Sequence, residues 1–314
     1  MTNTNHQDYL SENKKTLIVL LGPTGVGKTN ISLKIAEEFQ APIISSDSRQ
    51  LYRELKIGTA APSEAELNLV KHYFIGTHSI HDEYNAGQYE LDVIKLLNDI
   101  YCDSHAALLV GGSMMYIDAV CNGMDDLPAI SPEVRNFWIN EYRDKGLGYL
   151  LSELQRLDPK HYQQVDIHNH KRVIHALEIC MMTGQKYSEL RTGNKKSRDF
   201  RICKIGLNRP RQELYDRINI RVDEMIASGL VQEAEMYYQY KDLNTLNTVG
   251  YKELYAWMDG KLSFDEAVNL IKQDSRRYAK RQLTWFRRDE EVAWFHPDNQ
   301  SDILKHIHQF IQNQ

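Results

Sequence analysis

The chain has 314 residues, 42% of them hydrophobic and 26% charged, with a formal net charge of −5. That balance excludes a disordered chain and argues against a protein that coats nucleic acid indiscriminately, and the length allows two or three domains. Cys102, Cys121, Cys180 and Cys203 lie far apart without a Cys-x-x-Cys pair, so buried thiols in a reducing compartment are expected and structural zinc is not. The polar start, Met1 to Lys15, lacks an apolar signal core and no apolar run reaches spanning length, so the expected location is cytoplasmic, away from the membrane.

In chain order, Thr16-Leu17-Ile18-Val19-Leu20-Leu21 reads as a buried strand. It feeds Gly22-Pro23-Thr24-Gly25-Val26-Gly27-Lys28-Thr29, which fills every position of Gly-x-x-x-x-Gly-Lys-Thr. The glycines let backbone amides curl round oxygens, Lys28 neutralises charge, and Thr29 can hold a divalent ion. From Asn30 to Phe39, Ile31, Ile35, Ala36 and Phe39 recur at helical spacing, and a helix start adds its dipole and free amides to the attraction for a diphosphate. The later strand-like segments offer no obvious acidic partner of a nucleotide hydrolase. Phosphate binding is therefore expected and ATP hydrolysis is not.

A second strand, Ala41 to Ser45, runs into Ser45-Ser46-Asp47-Ser48-Arg49-Gln50. This motif falls at the carboxyl edge where open α/β sheets place ligands, and there an Asp can act as general base while Arg49 and Gln50 read phosphate or base edges. The same letters also suit a turn and helix cap. An amphipathic helix over Glu90 to Tyr101 precedes a third strand, Ala106 to Val110, and then Gly111-Gly112-Ser113, either a ligand-approach loop or a tight turn. All three loops would face one crevice.

Helical spacing dominates from Ser131 to Gly184. Ser131-Pro132 starts a helix, Val134, Phe137, Trp138 and Tyr142 form one stripe, Leu150, Leu154 and Leu157 another, and Val173, Ile174, Leu177 and Met181 a third closed by Gly184. A strand is expected within Phe200 to Leu207, then helices near Glu213 to Ser228, from Ser263 with Phe264, Ala267, Ile271 and Tyr278 packed inward, and near Ile303 to Phe310. The expected fold is α/β: a parallel-sheet core like that of P-loop nucleoside triphosphate hydrolases, over residues 1–123 and 196–314, with an all-helical insertion at 124–195. Two basic stretches fit phosphate contacts, or solvated helix faces: Lys186 to Arg211 with nine Lys or Arg against two acids, and Arg276 to Arg288 with six and none.

These motifs, with Leu51-Tyr52, Ile57-Gly58-Thr59-Ala60, Lys171-Arg172-Val173-Ile174-His175-Ala176-Leu177-Glu178, Leu214-Tyr215-x-Arg217-Ile218-x-x-Arg221, Val249-Gly250-Tyr251-Lys252-Glu253 and Arg277-Tyr278-Ala279-Lys280-Arg281-Gln282-x-Thr284-Trp285-Phe286, give the chain its resemblance to the tRNA dimethylallyltransferases. The resemblance implies transfer of a prenyl group from dimethylallyl diphosphate to N6 of adenosine 37 of a tRNA, with Mg²⁺ as cofactor and the anticodon stem-loop as partner, by a monomer. It implies that Gly22, Thr24, Gly25, Val26, Gly27, Lys28 and Thr29 cradle the diphosphate, Thr29 as metal ligand, with Arg221 and, less directly, Arg217. Asp47 would be the base, and Thr24, Asp47 and Arg221 the catalytic set. Asp47, Ser48, Arg49, Gln50, Ser113, Lys171, Arg172, Val173, His175, Val249, Gly250, Tyr251, Lys252, Arg277, Lys280 and Arg281 would meet tRNA, the helical insertion closing on the stem-loop. The chain departs from the commoner pattern in Ser113 for Thr, Met114-Met115 for Gly-Leu, and His175 for Arg. A small-molecule kinase with ATP in the loop, or an RNA-binding protein with an inactive loop, explains only part of this set.

Overall fold

Thr16–Leu21 (β1) is buried at every position, as a strand must be when helices cover both faces of a parallel sheet. The computed structural model describes residues 15–313. The other strands are Ile43–Ser45 (β2), His72–Tyr73 (β3), Ala106–Gly111 (β4), Arg201–Leu207 (β5) and Ala293–Phe295 (β6). They pair in parallel in the order β3-β2-β4-β1-β5-β6. Because β1 sits between β4 and β5, the loops after β1, β2 and β4 emerge side by side at one carboxyl edge.

The helices, in chain order, are Lys28–Phe39 (α1), Glu64–Leu69 (α2), Ala86–Asp103 (α3), Met114–Asn122 (α4), Pro132–Leu157 (α5), Pro159–Tyr162 (α6), His170–Thr183 (α7), Tyr187–Leu190 (α8), Arg211–Ala227 (α9), Leu230–Met236 (α10), Tyr251–Met258 (α11), Phe264–Phe286 (α12) and Gln300–Gln312 (α13). Alternate residues of β1 serve opposite cores. Leu17, Val19 and Leu21 meet Tyr89, Val93 and Leu97 of α3, while Ile18 and Leu20 meet Ile31 and Ile35 of α1 and Ile303 and Ile307 of α13. A third cluster joins Tyr52 and Leu55 to Leu230, Tyr251, Leu254 and Ile271, fixing α10, α11 and α12 beside the loop after β2. Ser263 caps α12 through a reciprocal bond with Glu266, so the long helix starts where the sequence places it.

Chain contacts divide the protein into two units, one of residues up to 121 together with 198 onward, the other of residues 122–197. In the second, Ser131 caps α5 by accepting from the Val134 amide, and α5 breaks at Gly146, whose φ of 76° is open to glycine at little cost. Trp138, Leu150 and Leu154 pack against Val173, Ile174 and Leu177 of α7, and Gly184 ends that helix in the left-handed conformation. Phe137 and Met181, expected in these stripes, are exposed. Phe137 is one residue, about 100° of helix, away from the inward Trp138. The sequence also gave no sign of β3 and β6, which have two and three residues, or of α11. No helix among the described residues is long and apolar enough to cross a membrane.

Candidate active site

The loop after β1 is shaped by glycines that nothing else could replace. Gly25 has φ 77°, and a Cβ there would lie 2.8 Å from Ile218; Gly27 has φ 105°. Lys28 Nζ donates to the carbonyls of Gly22 and Pro23, both at 2.9 Å, so the ammonium is held within the loop. Two arginines from the β5–α9 region brace the loop: Arg209 Nε donates to Val26 O at 2.9 Å and Arg217 Nε to Gly25 O at 3.0 Å. The Thr24 amide donates to Oε1 of Gln282 on α12.

After β2, Asp47 Oδ1 accepts the amides of Arg49 at 2.9 Å and Gln50 at 3.3 Å, so this carboxylate caps its own turn. Ser113, after β4, accepts the Ser48 amide at 2.8 Å and joins the Ser48 hydroxyl at 3.1 Å. The two loops are thus tied by short hydroxyl side chains, which leave room above them. That room is a crevice of about 310 Å³ bounded by Thr24, Asp47, Ser48, Arg49, Arg221 and Tyr278, with Gly58, Thr59, Val249 and Gly250 also on its walls.

Charge is concentrated here. Lys28 is pushed down to about 8 by burial and by the Arg221 cation, with Asp47 opposing. Burial also lowers Arg221, Asp47 again opposing. Burial pushes Tyr278 up to about 12, and the Asp47 charge adds to it, so the phenol stays protonated at neutral pH. Two cations beside one carboxylate at a helix start suit an anionic ligand with a second, uncharged reactant alongside.

A sequence model of the family described as IPP transferase matches residues 50–289. The chain belongs to that family. A tRNA dimethylallyltransferase 1 of Bacteroides fragilis is 55% identical over 298 residues, covering 95% of this chain and 99% of its own. The solved full-length tRNA isopentenylpyrophosphate transferase of Bacillus halodurans superposes with a TM-score of 0.68 at 34% identity, over 95% of this chain and 96% of that one. A eukaryotic dimethylallyltransferase solved acting on tRNA gives 0.74 at 26% identity, over 86% of this chain and 69% of that one.

In this chain the expected residues divide by position. Gly22, Thr24, Gly25, Val26 and Gly27 form the loop, and Lys28 and Thr29 open α1, Thr29 exposed. Asp47, Ser48, Arg49, Arg221, Val249 and Gly250 line the crevice, with Ser113 beneath Ser48. Arg217 is not among the crevice walls and instead donates to the Gly25 carbonyl of the loop. Gln50 is engaged within the chain, its side-chain amide donating to Thr59 O and Ala60 O and its oxygen accepting from Ser45. Tyr251 is fully buried with its hydroxyl on Glu233, which removes its ring from any RNA surface. Lys252 is exposed and pairs with Asp274 at 2.8 Å. Arg277 pairs with the same carboxylate at 3.0 Å, and Arg281 lies 5.7 Å from the Tyr278 ring centre.

Lys280 points to the other side of α12, into a larger hollow of about 650 Å³. That hollow touches none of Thr24, Asp47 and Arg221, all three of which line the smaller crevice. In the helical unit Lys171 and Arg172 are exposed on α7, His175 is 3.5 Å from Glu178, and Val173 is buried in the core, where it cannot touch RNA. The histidines form no metal cluster with Cys, Asp or Glu among the described residues.

Reading the sequence missed Tyr278 as a crevice wall, Gln282 as a buried link, and Glu233. The Glu233 carboxylate accepts the amides of Lys56, Ile57 and Gly58 at 2.8 to 3.1 Å, and the Tyr251 hydroxyl, fixing the crevice wall at Gly58. Gly58 is obligatory beside it, because a Cβ would sit 2.6 Å from the Tyr251 ring. Glu233→Ala strands three backbone donors, and a loss of about 3 kcal/mol in urea-unfolding free energy is expected. A loss under about 0.5 kcal/mol would show that water replaces the carboxylate without cost.

Proposed function

We propose that this protein transfers the dimethylallyl group of dimethylallyl diphosphate to N6 of adenosine 37 in tRNA and releases diphosphate. The supporting observation is the convergence of Thr24, Asp47 and Arg221 on one crevice, next to a phosphate loop, in a chain of the IPP transferase family. The adenine amine is a weak nucleophile because its lone pair is delocalised into the ring. Asp47 accepts a hydrogen bond from that amine, orients its lone pair toward the allylic carbon and takes the proton as the new C–N bond forms. As the allylic C–O bond breaks, charge grows on the leaving diphosphate, and Lys28, Arg221 and the loop amides stabilise it.

The base must leave its stack to enter the crevice. Ser48 and Arg49 then face it, while Tyr278 supplies an aromatic and protonated wall. Lys171 and Arg172 of the helical unit are assigned to the phosphates of the stem. The donor set fits Mg²⁺: Thr29 offers a hydroxyl at the start of α1, and both loop amides bound by Asp47 use Oδ1. Mg²⁺ usually takes one or two protein oxygens and completes its shell with phosphate and water, and when bound it supplies neutralising charge to the leaving group.

Lys28 gives this reading a pH signature. Its ammonium is the binding-competent form, and in the donor-free protein that form is lost as pH rises through about 8. The affinity for inorganic diphosphate, measured by calorimetry, is expected to fall about tenfold between pH 7 and 9.5, a fall that Lys28→Gln lacks. Identical pH profiles for the two proteins would remove Lys28 from diphosphate binding. The transfer itself is tested by pairing two tRNAs that differ only in adenosine or guanosine at position 37. Only the first is expected to take up label from dimethylallyl diphosphate, and equal uptake would refute the assignment of N6.

A further inference from the structure

We infer that Gln282 is a positioning residue that sets the diphosphate loop against the acceptor side of the crevice, an inference that rests on the transfer reaction proposed above. Gln282 lies on α12 with 2% of its surface exposed. Its Oε1 accepts the Thr24 amide at 2.9 Å and its Nε2 donates to Gly112 O at 2.8 Å. One carboxamide therefore bridges the loop after β1, the loop after β4 and the helix that carries Tyr278.

The geometry is specific to an amide. Only a side chain with one acceptor and one donor at its tip satisfies an N–H on one side and a C=O on the other, and burying that tip unpaired would be costly. Gly112 is shaped to it, because a Cβ at that position would lie 2.3 Å from Nε2. With its amide committed to Gln282, Thr24 is fixed in the crevice wall, and the loop amides left for a diphosphate begin at Gly25. Ser275 and Tyr278, on the same face of α12 as Gln282, line the crevice too, so one helix face registers acceptor pocket and donor loop together.

Gln282→Met keeps the volume and removes both bonds. Inorganic diphosphate affinity is expected to weaken about tenfold and kcat to fall about thirtyfold, since misplacement of the loop costs orientation at the reacting centre. KM for tRNA should stay within about twofold and the melting temperature within a few degrees, a pattern that a residue needed only for stability does not produce. Gly112→Ala pushes the carboxamide aside by a different route and should reproduce the weakened diphosphate binding. The double variant should then be no worse than the more impaired single one.

Parent-like diphosphate affinity and kcat in Gln282→Met would overturn the inference. So would effects of the two substitutions that simply add, or a loss shared equally by tRNA and diphosphate with a large fall in melting temperature. If Gln282→Met does not fold, Gly112→Ala decides alone, and parent-like diphosphate affinity there overturns it. Diphosphate binding requires no turnover, so a parent that binds diphosphate but leaves tRNA unmodified counts against the transfer reaction, whereas an active parent with an indifferent Gln282→Met counts against Gln282 only.

Discussion

Asp47→Asn is expected to slow the single-turnover transfer step by about 10²- to 10⁴-fold while leaving diphosphate affinity within about threefold of the parent. The substitution keeps Oδ1, and with it the caps on the Arg49 and Gln50 amides, so the turn after β2 should survive. What it removes is the negative charge that the proposed base needs to accept the N6 proton. Loss of that charge lifts a repulsion against the diphosphate but also removes an anion that raises the pKa values of Lys28 and Arg221, so fewer Lys28 side chains stay charged, and the two effects oppose each other in diphosphate affinity. A base role and a binding role therefore predict opposite partitioning. A single-turnover rate within about threefold of the parent would exclude Asp47 as the base.

The second large effect is expected at Arg221, and it tests the preference for Arg221 over Arg217 that the sequence already suggested. Arg221 lines the crevice beside Lys28, whereas exposed Arg217 donates to the Gly25 carbonyl and is not among the crevice walls. Arg221→Gln should lower kcat by about 10²- to 10³-fold, the range for removing one charged stabiliser of a developing anion. Arg217→Gln should cost less than about tenfold, because Arg217 spends its Nε on the Gly25 carbonyl and does not line the crevice, whereas Arg221 does. Steady-state kinetics on both variants with saturating tRNA decide this, and a larger loss at Arg217 than at Arg221 would reverse the assignment.

Much of the core was legible because its signals are local. β1, the glycine-rich loop and α1 follow from an apolar run, fixed loop spacing and a helical period, and Ser131 and Ser263 mark their helix starts by capping chemistry. What escaped is what only the tertiary fold decides. Strands of two or three residues, such as β3, carry too few side chains to show a period. Gln50 and Tyr251 look like ligand-facing polar residues in sequence, yet one holds the Thr59–Ala60 carbonyls and the other completes the Glu233 site. Gln282 lies 258 residues from Thr24 in the chain, and no local pattern announces a bond of that span. Lys280 and Tyr278 are near neighbours in sequence, but helical rotation sends them to different hollows.

The absence of an obvious hydrolase acid gains a physical reading from the sheet order. β4, the neighbour of β1, runs into Gly111, Gly112 and Ser113, which bring backbone and a hydroxyl where a carboxylate would otherwise approach the loop. Asp47 instead enters from the strand beyond, facing the crevice. That placement agrees with the proposed division of roles, the loop for a leaving diphosphate and the carboxylate for the acceptor.

The most direct measurement is nucleoside mass analysis of a tRNA bearing adenosine 37 after incubation with the protein, Mg²⁺ and dimethylallyl diphosphate, with diphosphate release followed in parallel. One dimethylallyl group on N6 of that adenosine per tRNA, matched by one diphosphate released and unobtainable with ATP as donor, is the predicted result. Unmodified adenosine across several such tRNAs, from protein that binds diphosphate normally, would contradict the account.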